Sequence, residues 1–596
     1  MGENLDRRRP WARSVGALSA IAVTAAALVV FYPVLRGEFL NFDDRYLYVE
    51  HREFQGLDLE HLAWMFRTTR LGHYAPLTWL SAAIDSALFG LDPRAFHRTS
   101  LLLHAANTAL FAWLARELLA TADRNRARAH PCAVAAASAA AAALFALHPL
   151  RVESVAWITE RRGLLGAFFF LIALLSWLRS CAPGEIALTS RPAYALALLA
   201  LAASLLSKGL GMSFAAIVVV LDVYPLRRLP ARVAEWGRRD LRALWVQKIP
   251  VACLGAASAG ASAWAARSAG GTVKSLAEWS ALARLEQAAY GLAYYLRQTL
   301  APERLSGMHE LPYRFDPLEG RFLFAALAVG ILAYGLVRTR RPALAAAAWV
   351  YALALLPVLG FAQAGPQLVA DRYSYVACMP WAILAGGALF AFWTARASTT
   401  VRIGSAVVLL AVCGVLSARS RAEIAAWRDS RALWEHVLAS DEPSAIAHNN
   451  LGAMDRDAGA YDAASVHLRE ALAIRPDLGQ AWLNLGIVCE KQDRAPEALE
   501  ALLQARQLLR PATDALVELG NLYLNHLDRP EDAVAVFREA VAEIQVLDPT
   551  RFSPRPYLGL GVALLRTGQV DEGRKALEFA AQFPETRDRA LRALRR

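Results

Sequence analysis

Apolar residues fall in long blocks over roughly the first seven-tenths of the chain and give way to a mixed, water-compatible pattern after it. The first block, about 14–35, is long enough to cross hydrocarbon as a helix. It ends in Phe31-Tyr32-Pro33 with no small-residue cleavage signature, so it reads as a retained span and not a signal peptide. A polar stretch, 37–97, follows. Within it, 57–66 and 76–89 carry apolar residues at helical spacing (Leu77, Leu80, Ile84 and Leu88 in the second), as short helices at a membrane interface do. Further apolar runs lie near 99–119, 132–147, 163–178, 193–207, 209–224, 249–267, 321–337, 343–361, 373–394 and 401–418.

Charge then fixes a sidedness. Arg7, Arg8, Arg9 and Arg13 precede the first span. Basic groups at Arg124, Arg126 and Arg128, at Arg227 to Lys248, and at Arg338, Arg340 and Arg341 follow later ones. Lysine and arginine accumulate on the cytoplasmic side, which places the N-terminus inside and the 37–97 loop outside. The segment 281–300 is apolar but interrupted by Arg284, Glu286, Gln287, Arg297 and Gln298. If it spans, there are twelve crossings and a cytoplasmic C-terminal domain; laid in the interface, which keeps Arg338–Arg341 inside, it leaves about eleven and an extracytoplasmic C-terminus.

The last quarter repeats. Leu451-Gly452, Leu485-Gly486 and Leu519-Gly520 recur every 34 residues, the tetratricopeptide period. Ala464 and Ala498 stand where the paired helices of a unit cross, and Ala533 follows after one extra residue. Leu560-Gly561 with Gly573 opens a further unit after an insertion around 545–556. About four units should stack into a superhelix with a concave binding face. The predicted fold is therefore all-α: a cytoplasmic tail (1–13), a polytopic membrane domain (14–418), a linker (419–443) and an α-solenoid (444–596).

Composition adds little to this partition. Of 596 residues 56% are hydrophobic, and the net charge of +11 resides in loops beside apolar runs. That distribution fits bilayer orientation and lipid headgroups, not nucleic acid. The six cysteines are scattered, with no metal or redox spacing, and read as packing residues. No glycine-rich nucleotide cradle is present, so a donor already in the membrane fits better than a nucleotide sugar.

Candidate chemistry gathers at span ends. Asn41-Phe42-Asp43-Asp44 leaves the first span with two adjacent carboxylates that need water, a metal or a partner. One suits a general base toward an acceptor hydroxyl, the other an orienting group or cation ligand; a solvated turn is the plainer alternative. His148, Arg151, Glu153 and Glu160, with Trp157, Arg161 and Arg162, offer carboxylates and arginines for sugar hydroxyls and a phosphate. Glu153 and Glu160 share a face if this stretch is one helix. His73, the in-pattern Asp85, and Lys208 between two apolar runs are further binding candidates. Asp371 and Arg372 supply a cation for a phosphate leaving group, or an internal ion pair. His104 and Asn107 read as interhelical hydrogen-bonders. No cofactor is called for beyond a divalent cation that the acids leave room for.

Taken in order, Asn41-Phe42-Asp43-Asp44, Tyr74-Ala75-Pro76-Leu77-Thr78, His148-Pro149 with Glu153-Ser154-Val155, Ser207-Lys208 and Ala370-Asp371-Arg372-Tyr373-Ser374-Tyr375, then the repeats, resemble the transmembrane and tetratricopeptide-repeat protein O-mannosyltransferases. These belong to the multi-span (GT-C) glycosyltransferases that use polyprenyl-phosphate sugars. The resemblance implies transfer to a protein hydroxyl on the non-cytoplasmic face of the inner membrane. It implies Asp43 or Asp44 as base with Glu153 in support, and an acceptor protein held on the concave repeat face. Arg372, by its charge, would face the lipid phosphate. The short array of repeats departs from the eukaryotic members. A repeat scaffold would have no use for Asp43 and Asp44, and a lipid-linked-sugar transporter would place its ionisable residues mid-span.

Overall fold

A computed structural model of the chain describes residues 10–268, 274–363, 365–395, 398–440, 443–546 and 553–595. Arg7, Arg8 and Arg9 of the basic tail lie outside these residues, as does part of the expected insertion at 545–556. The chain divides into two compact units, Met1–Leu433 and Trp434–Arg596.

The first unit is a polytopic helical membrane domain. Five helices are long and apolar enough to cross a bilayer: Ser14–Arg36, Ile158–Ser180, Arg239–Ser268, Gly320–Arg338 and Thr399–Ala426. Two bent pairs qualify as broken spans, Pro131–Ala146 with Pro149–Ala156 (63°) and Asp371–Ala377 with Met379–Thr394 (49°). Arg191–Ser207, Gly209–Val223 and Pro342–Val358 are shorter apolar helices. The run at 99–119 lies inside a 30-residue helix, Pro93–Ala122. Helix starts follow local chemistry: Asp92 accepts from the Arg94 N–H ahead of Pro93, and Asp58, Ser190, Ser280 and Ser398 cap their helices alike. Helices approach closely where small residues allow it. A Cβ on Gly386 would sit 2.6 Å from the Ala137 carbonyl, so the alanine-rich Pro131–Ala146 helix packs directly on Met379–Thr394. The faces of Gly320–Arg338 and Thr399–Ala426 expose Phe324, Ile331, Val407 and Leu410. Continuous apolar surface of that kind belongs against lipid.

The polar stretch after the first span folds over its own small core of Leu47, Tyr48, Phe54, Met65 and Trp79 with Phe96 and Ile158. Its helices are Leu59–Met65 and Pro76–Phe89. In the latter the protein-facing side is Thr78, Trp79, Ala82, Ala83 and Asp85, while Ile84 and Leu88 are exposed. The apolar stripe legible in the sequence is therefore split: Ile84 and Leu88 face outward, as on an interfacial helix, while Leu80 packs on the small core. Residues 419–443 are largely helical: Thr399–Ala426 runs on past the apolar run, and Ser430–Leu438 follows.

The second unit is an α-solenoid of helix pairs: Ala445–Asp457 with Tyr461–Ile474, Gly479–Lys491 with Ala495–Leu508, Thr513–Asn525 with Pro530–Val546, and Arg555–Arg566 with Val570–Ala580. Each repeat glycine meets its partner helix. Added Cβ atoms at Gly452, Gly486, Gly520 and Gly561 would press on Leu468, Leu502, Phe537 and Leu577. Ala464, Ala498 and Ala533 are fully buried opposite them. A final helix, Arg587–Leu594, closes the stack through Ala590 on Leu577 and Ala580.

Candidate functional site

The short arms of the two bent helix pairs, Pro149–Ala156 and Asp371–Ala377, pack on each other. Irregular backbone at membrane depth is tolerated only inside protein, and here the two arms are tied together. The Arg372 backbone N–H donates to Glu153 Oε2 at 2.6 Å, and its guanidinium pairs with Glu153 Oε1. Nε of the same side chain stands 3.9 Å from Glu160 Oε2. Glu153 and Glu160 are not on one continuous helix, because the chain leaves helical geometry at Trp157 before restarting at Ile158. They come together through Arg372 instead. Lys208 pairs with Glu160 Oε1, and Arg162 Nε lies 3.6 Å from Glu160 Oε2. That second oxygen accepts no hydrogen bond from the described residues, though two guanidinium groups face it. Gly163 makes room, since any Cβ there would run into the Glu160 carboxylate.

The acidic pair is set beside this group by the same stretch of chain. Trp157 stacks on Phe42 at 4.5 Å and 7°, and its Nε1–H donates to the Phe42 carbonyl at 2.7 Å. Thr159 donates its N–H (2.8 Å) and hydroxyl (2.6 Å) to Asp44 Oδ1, and the Leu40 N–H reaches Oδ2 at 3.2 Å. Asp43 lies between these anchors in the left-handed region, φ +69°. For a residue other than glycine that conformation costs energy and persists only when its surroundings impose it. Its effect is to point two neighbouring carboxylates apart. Asp44 is fully buried, whereas Asp43 is half-buried and its carboxylate accepts no hydrogen bond from the described residues.

Burial raises both carboxyls. Asp44 is pushed up to about 7, against its hydrogen bonds and helped by the Asp43 charge. Asp43 is raised less freely, because Arg162 and Arg372 oppose its burial. His73 stands at the exposed side of the cluster, its pKa held well below the ordinary value by Arg162 first, then burial, Lys208 and Arg372. Arg372 also lies over the rings of Trp157 (5.1 Å) and Tyr373 (4.9 Å), with Lys208 5.9 Å from the latter. The site thus holds four carboxyls and three basic side chains, with one acid, Asp44, raised to about 7.

No family profile matches the chain. Among characterised proteins, protein O-mannosyl-transferase Tmtc3 of Drosophila melanogaster is 24% identical over 541 residues, covering 79% of this chain and 57% of its own length. The chain resembles the TMTC protein O-mannosyl-transferases. TMTC1 of Mus musculus is 29% identical over 37% of this chain, and TMTC2 of Homo sapiens 26% over 36%. The chain spans only 24% and 25% of the lengths of those two relatives. Among solved structures, ArnT from Cupriavidus metallidurans bound to undecaprenyl phosphate aligns over 95% of this chain and 88% of its own, at 18% identity and a TM-score of 0.35.

Relative to this resemblance, the cluster unites Asp43, Asp44, His73, Glu153, Glu160, Lys208 and Arg372 of the expected residues. Four others are committed elsewhere. Asp85 is buried against Arg161 (2.6 Å) and Thr99 (2.8 Å), so it ties two helices together and is spent as an internal pair. His148 caps its own turn, accepting from the Leu150 N–H at 3.2 Å. Arg151 is buried between the rings of Phe145 and Tyr375 and donates to Ser374 Oγ at 2.7 Å. Asp371 pairs not with its neighbour Arg372 but with the Tyr294 hydroxyl at 2.6 Å, with His309 at 3.9 Å. His104 and Asn107 hydrogen-bond across helices to Tyr375, Ala146 and Leu164.

Thr159 and Gly163 were not singled out by their sequence, and Arg162 was named only together with Arg161. Successive residues of a helix point about 100° apart, so Arg161 turns to Asp85 while Arg162 turns to Glu160, and adjacent arginines hide that division. Among the described residues no group of three or more His, Cys, Asp or Glu converges as metal ligands.

Proposed function

We propose that the chain is an integral membrane glycosyltransferase that moves a sugar, mannose by the names of its relatives, from a polyprenyl-phosphate carrier to a protein hydroxyl. The observation that carries this reading is the division of labour in the acidic pair beside Arg162, Lys208 and Arg372. Asp44 is anchored by three donors with its carboxyl pushed up to about 7, while at Asp43 the charges of Arg162 and Arg372 work against burial and favour the ionised form. Asp43, partly open and without hydrogen-bonding commitments, is then the base. It removes the acceptor's hydroxyl proton as the oxygen attacks the anomeric carbon. The bond from that carbon to the phosphate oxygen breaks, and polyprenyl phosphate leaves with the electron pair. Lys208, Arg162 and Arg372 receive its charge, fixed in place before the reaction by their own carboxylates. Asp43 returns the proton to water through its open side.

An apolar cavity of about 820 Å³ supports a lipid carrier. It begins at Thr299, Val376 and Met379, a turn or two of chain from Arg372, and runs between the helices of the membrane domain. A ligand with a long apolar tail fits such a space. A span at 14–36 supports an Asp43 loop on the membrane side opposite the N-terminus, and the reading takes the repeats to lie on that same, extracytoplasmic side, within reach of protein acceptors.

The test is transfer of radiolabelled mannose from polyprenyl-phosphate mannose to acceptor protein by the purified full-length chain. Asp43→Asn should lower turnover by about 10²–10⁴, the usual contribution of a general base, while the protein keeps its unfolding temperature. Full activity in that variant would end the assignment. A cysteine placed at the C-terminus should react with an impermeant reagent from outside; labelling only from the cytoplasm would break the proposed arrangement.

A further inference from the structure

The cavity has a second mouth. Along Met379–Thr394 its wall extends from Met379 to Ala391, about 18 Å of helix. At the far end its rim is formed by Asp123, Arg126, Tyr224 and Arg341. This is the end opposite the acid-base cluster. The Pro93–Ala122 helix begins where the Phe96 carbonyl accepts from Arg161, beside Glu160, and reaches Asp123 about 40 Å later.

The chemistry of that rim is one-sided. Arg126 is 3.8 Å from Asp123 with both side chains nearly half exposed, a weak pair. Arg341 is exposed, and no carboxylate among the described residues lies within ion-pair distance of it. Tyr224 lines the same rim. Two arginines thus stand with one carboxylate at an opening whose interior is leucine, alanine, phenylalanine and isoleucine. Unlike the cations of the catalytic cluster, these are exposed and hold no carboxylate tightly, so nothing there is arranged to move a proton.

We infer that this mouth is a binding site for an anionic glycerophospholipid, its phosphate on Arg126 and Arg341 and an acyl chain in the lower part of the cavity. A tyrosine and two arginines at the mouth of an apolar slot match a phosphodiester headgroup joined to its tail. A zwitterionic headgroup would bring its own cation against the net positive rim and gain less. The same phosphate chemistry could come from the carrier lipid, but a carrier whose phosphate sat here would be a full membrane thickness from the base. The site therefore holds a resident lipid that seals the cavity from below and leaves the upper mouth to the donor.

The test uses the full-length chain in detergent, with native mass spectrometry of retained lipid after addition of phosphatidylglycerol, phosphatidylcholine or undecaprenyl phosphate. Phosphatidylglycerol should be retained at least tenfold more than phosphatidylcholine. The Arg126→Gln/Arg341→Gln protein should lose that preference, and an Arg338→Gln/Arg340→Gln protein, with the same charge removed away from the rim, should keep it. Equal retention of the two phospholipids, or an unchanged preference in the rim variant, overturns the inference. So does a rim variant that loses undecaprenyl phosphate and not phosphatidylglycerol, which would give this mouth to the carrier. Because the readout is lipid retention, it stands apart from mannose transfer, and either reading can fail alone.

Discussion

The repeat unit and the membrane unit are both helical, yet they are specified in opposite ways. In the repeats, contacts are local and periodic: Gly486 meets Leu502 and Ala498 of the very next helix, and the relation recurs one period away at Gly452. In the membrane unit the decisive contacts join distant chain: Thr159 to Asp44, Arg372 to Glu153, Lys208 to Glu160. A repeat can be read from its own thirty-odd residues. A charged cluster is defined only when four segments arrive together, so damage to one member should be felt by all.

The sharpest way to break that contrast is Asp43→Asn, already given as the largest expected loss of transfer. Next comes Arg372→Gln. Removing one partner of a buried ion pair leaves the other charge uncompensated, at about 3–5 kcal/mol, and here Glu153 would lose its ion-pair partner beside a second carboxylate, Glu160. We expect an unfolding temperature lowered by several degrees and transfer reduced about a hundredfold, with Arg372→Gln/Glu153→Gln recovering the stability but not the activity. If the double variant regains both, Arg372 is structural only and takes no part in receiving the phosphate.

How much of this was legible in the chain follows the same contrast. The Leu-Gly period and the apolar runs place most helices, because each signal lies within the element it forms. Asp43, Asp44, Glu153 and Arg372 stood out as charges at the ends of apolar runs, where burial demands a partner. Which partner was not legible. Asp371 and Arg372 are adjacent yet pair with Tyr294 and Glu153 respectively, because the bend after them turns successive side chains to different helices. Asp85 and Arg161 look like site residues for the same reason that they form an internal pair: both are charges inside apolar patterns. Nothing local distinguishes a charge facing a cavity from one facing another charge.

A milder perturbation tests the periodic side. Gly486→Ala puts a methyl 2.6 Å from the Leu502 Cγ. Overpacking of that kind costs about 1–3 kcal/mol, and in a stack coupled only through neighbours it should stay nearby. Hydrogen exchange should rise across 479–508 and the adjoining helices, with protection at Leu577 and Ala590 unchanged. Loss of protection throughout the solenoid would show the repeats to be as globally coupled as the charged cluster.

The smallest expected effect concerns Asp44, and its sign is informative. Its carboxyl sits near 7 in the folded chain and at 3.8 when unfolded. Between those values the folded state holds a proton that the unfolded state has released, so stability falls as pH rises from about 4 to about 7 and levels off above. Asp44→Asn cannot titrate, and its amide oxygen still accepts from Thr159. The variant should therefore lose this slope and gain relative stability at pH 8, with transfer lowered only about tenfold because the Asn41–Asp43 turn remains anchored. Were the unmodified chain to grow more stable across that range, Asp44 would be ionised throughout. Two adjacent charges would then share the pocket, and the separation of roles between an anchored neutral acid and an open base could not hold.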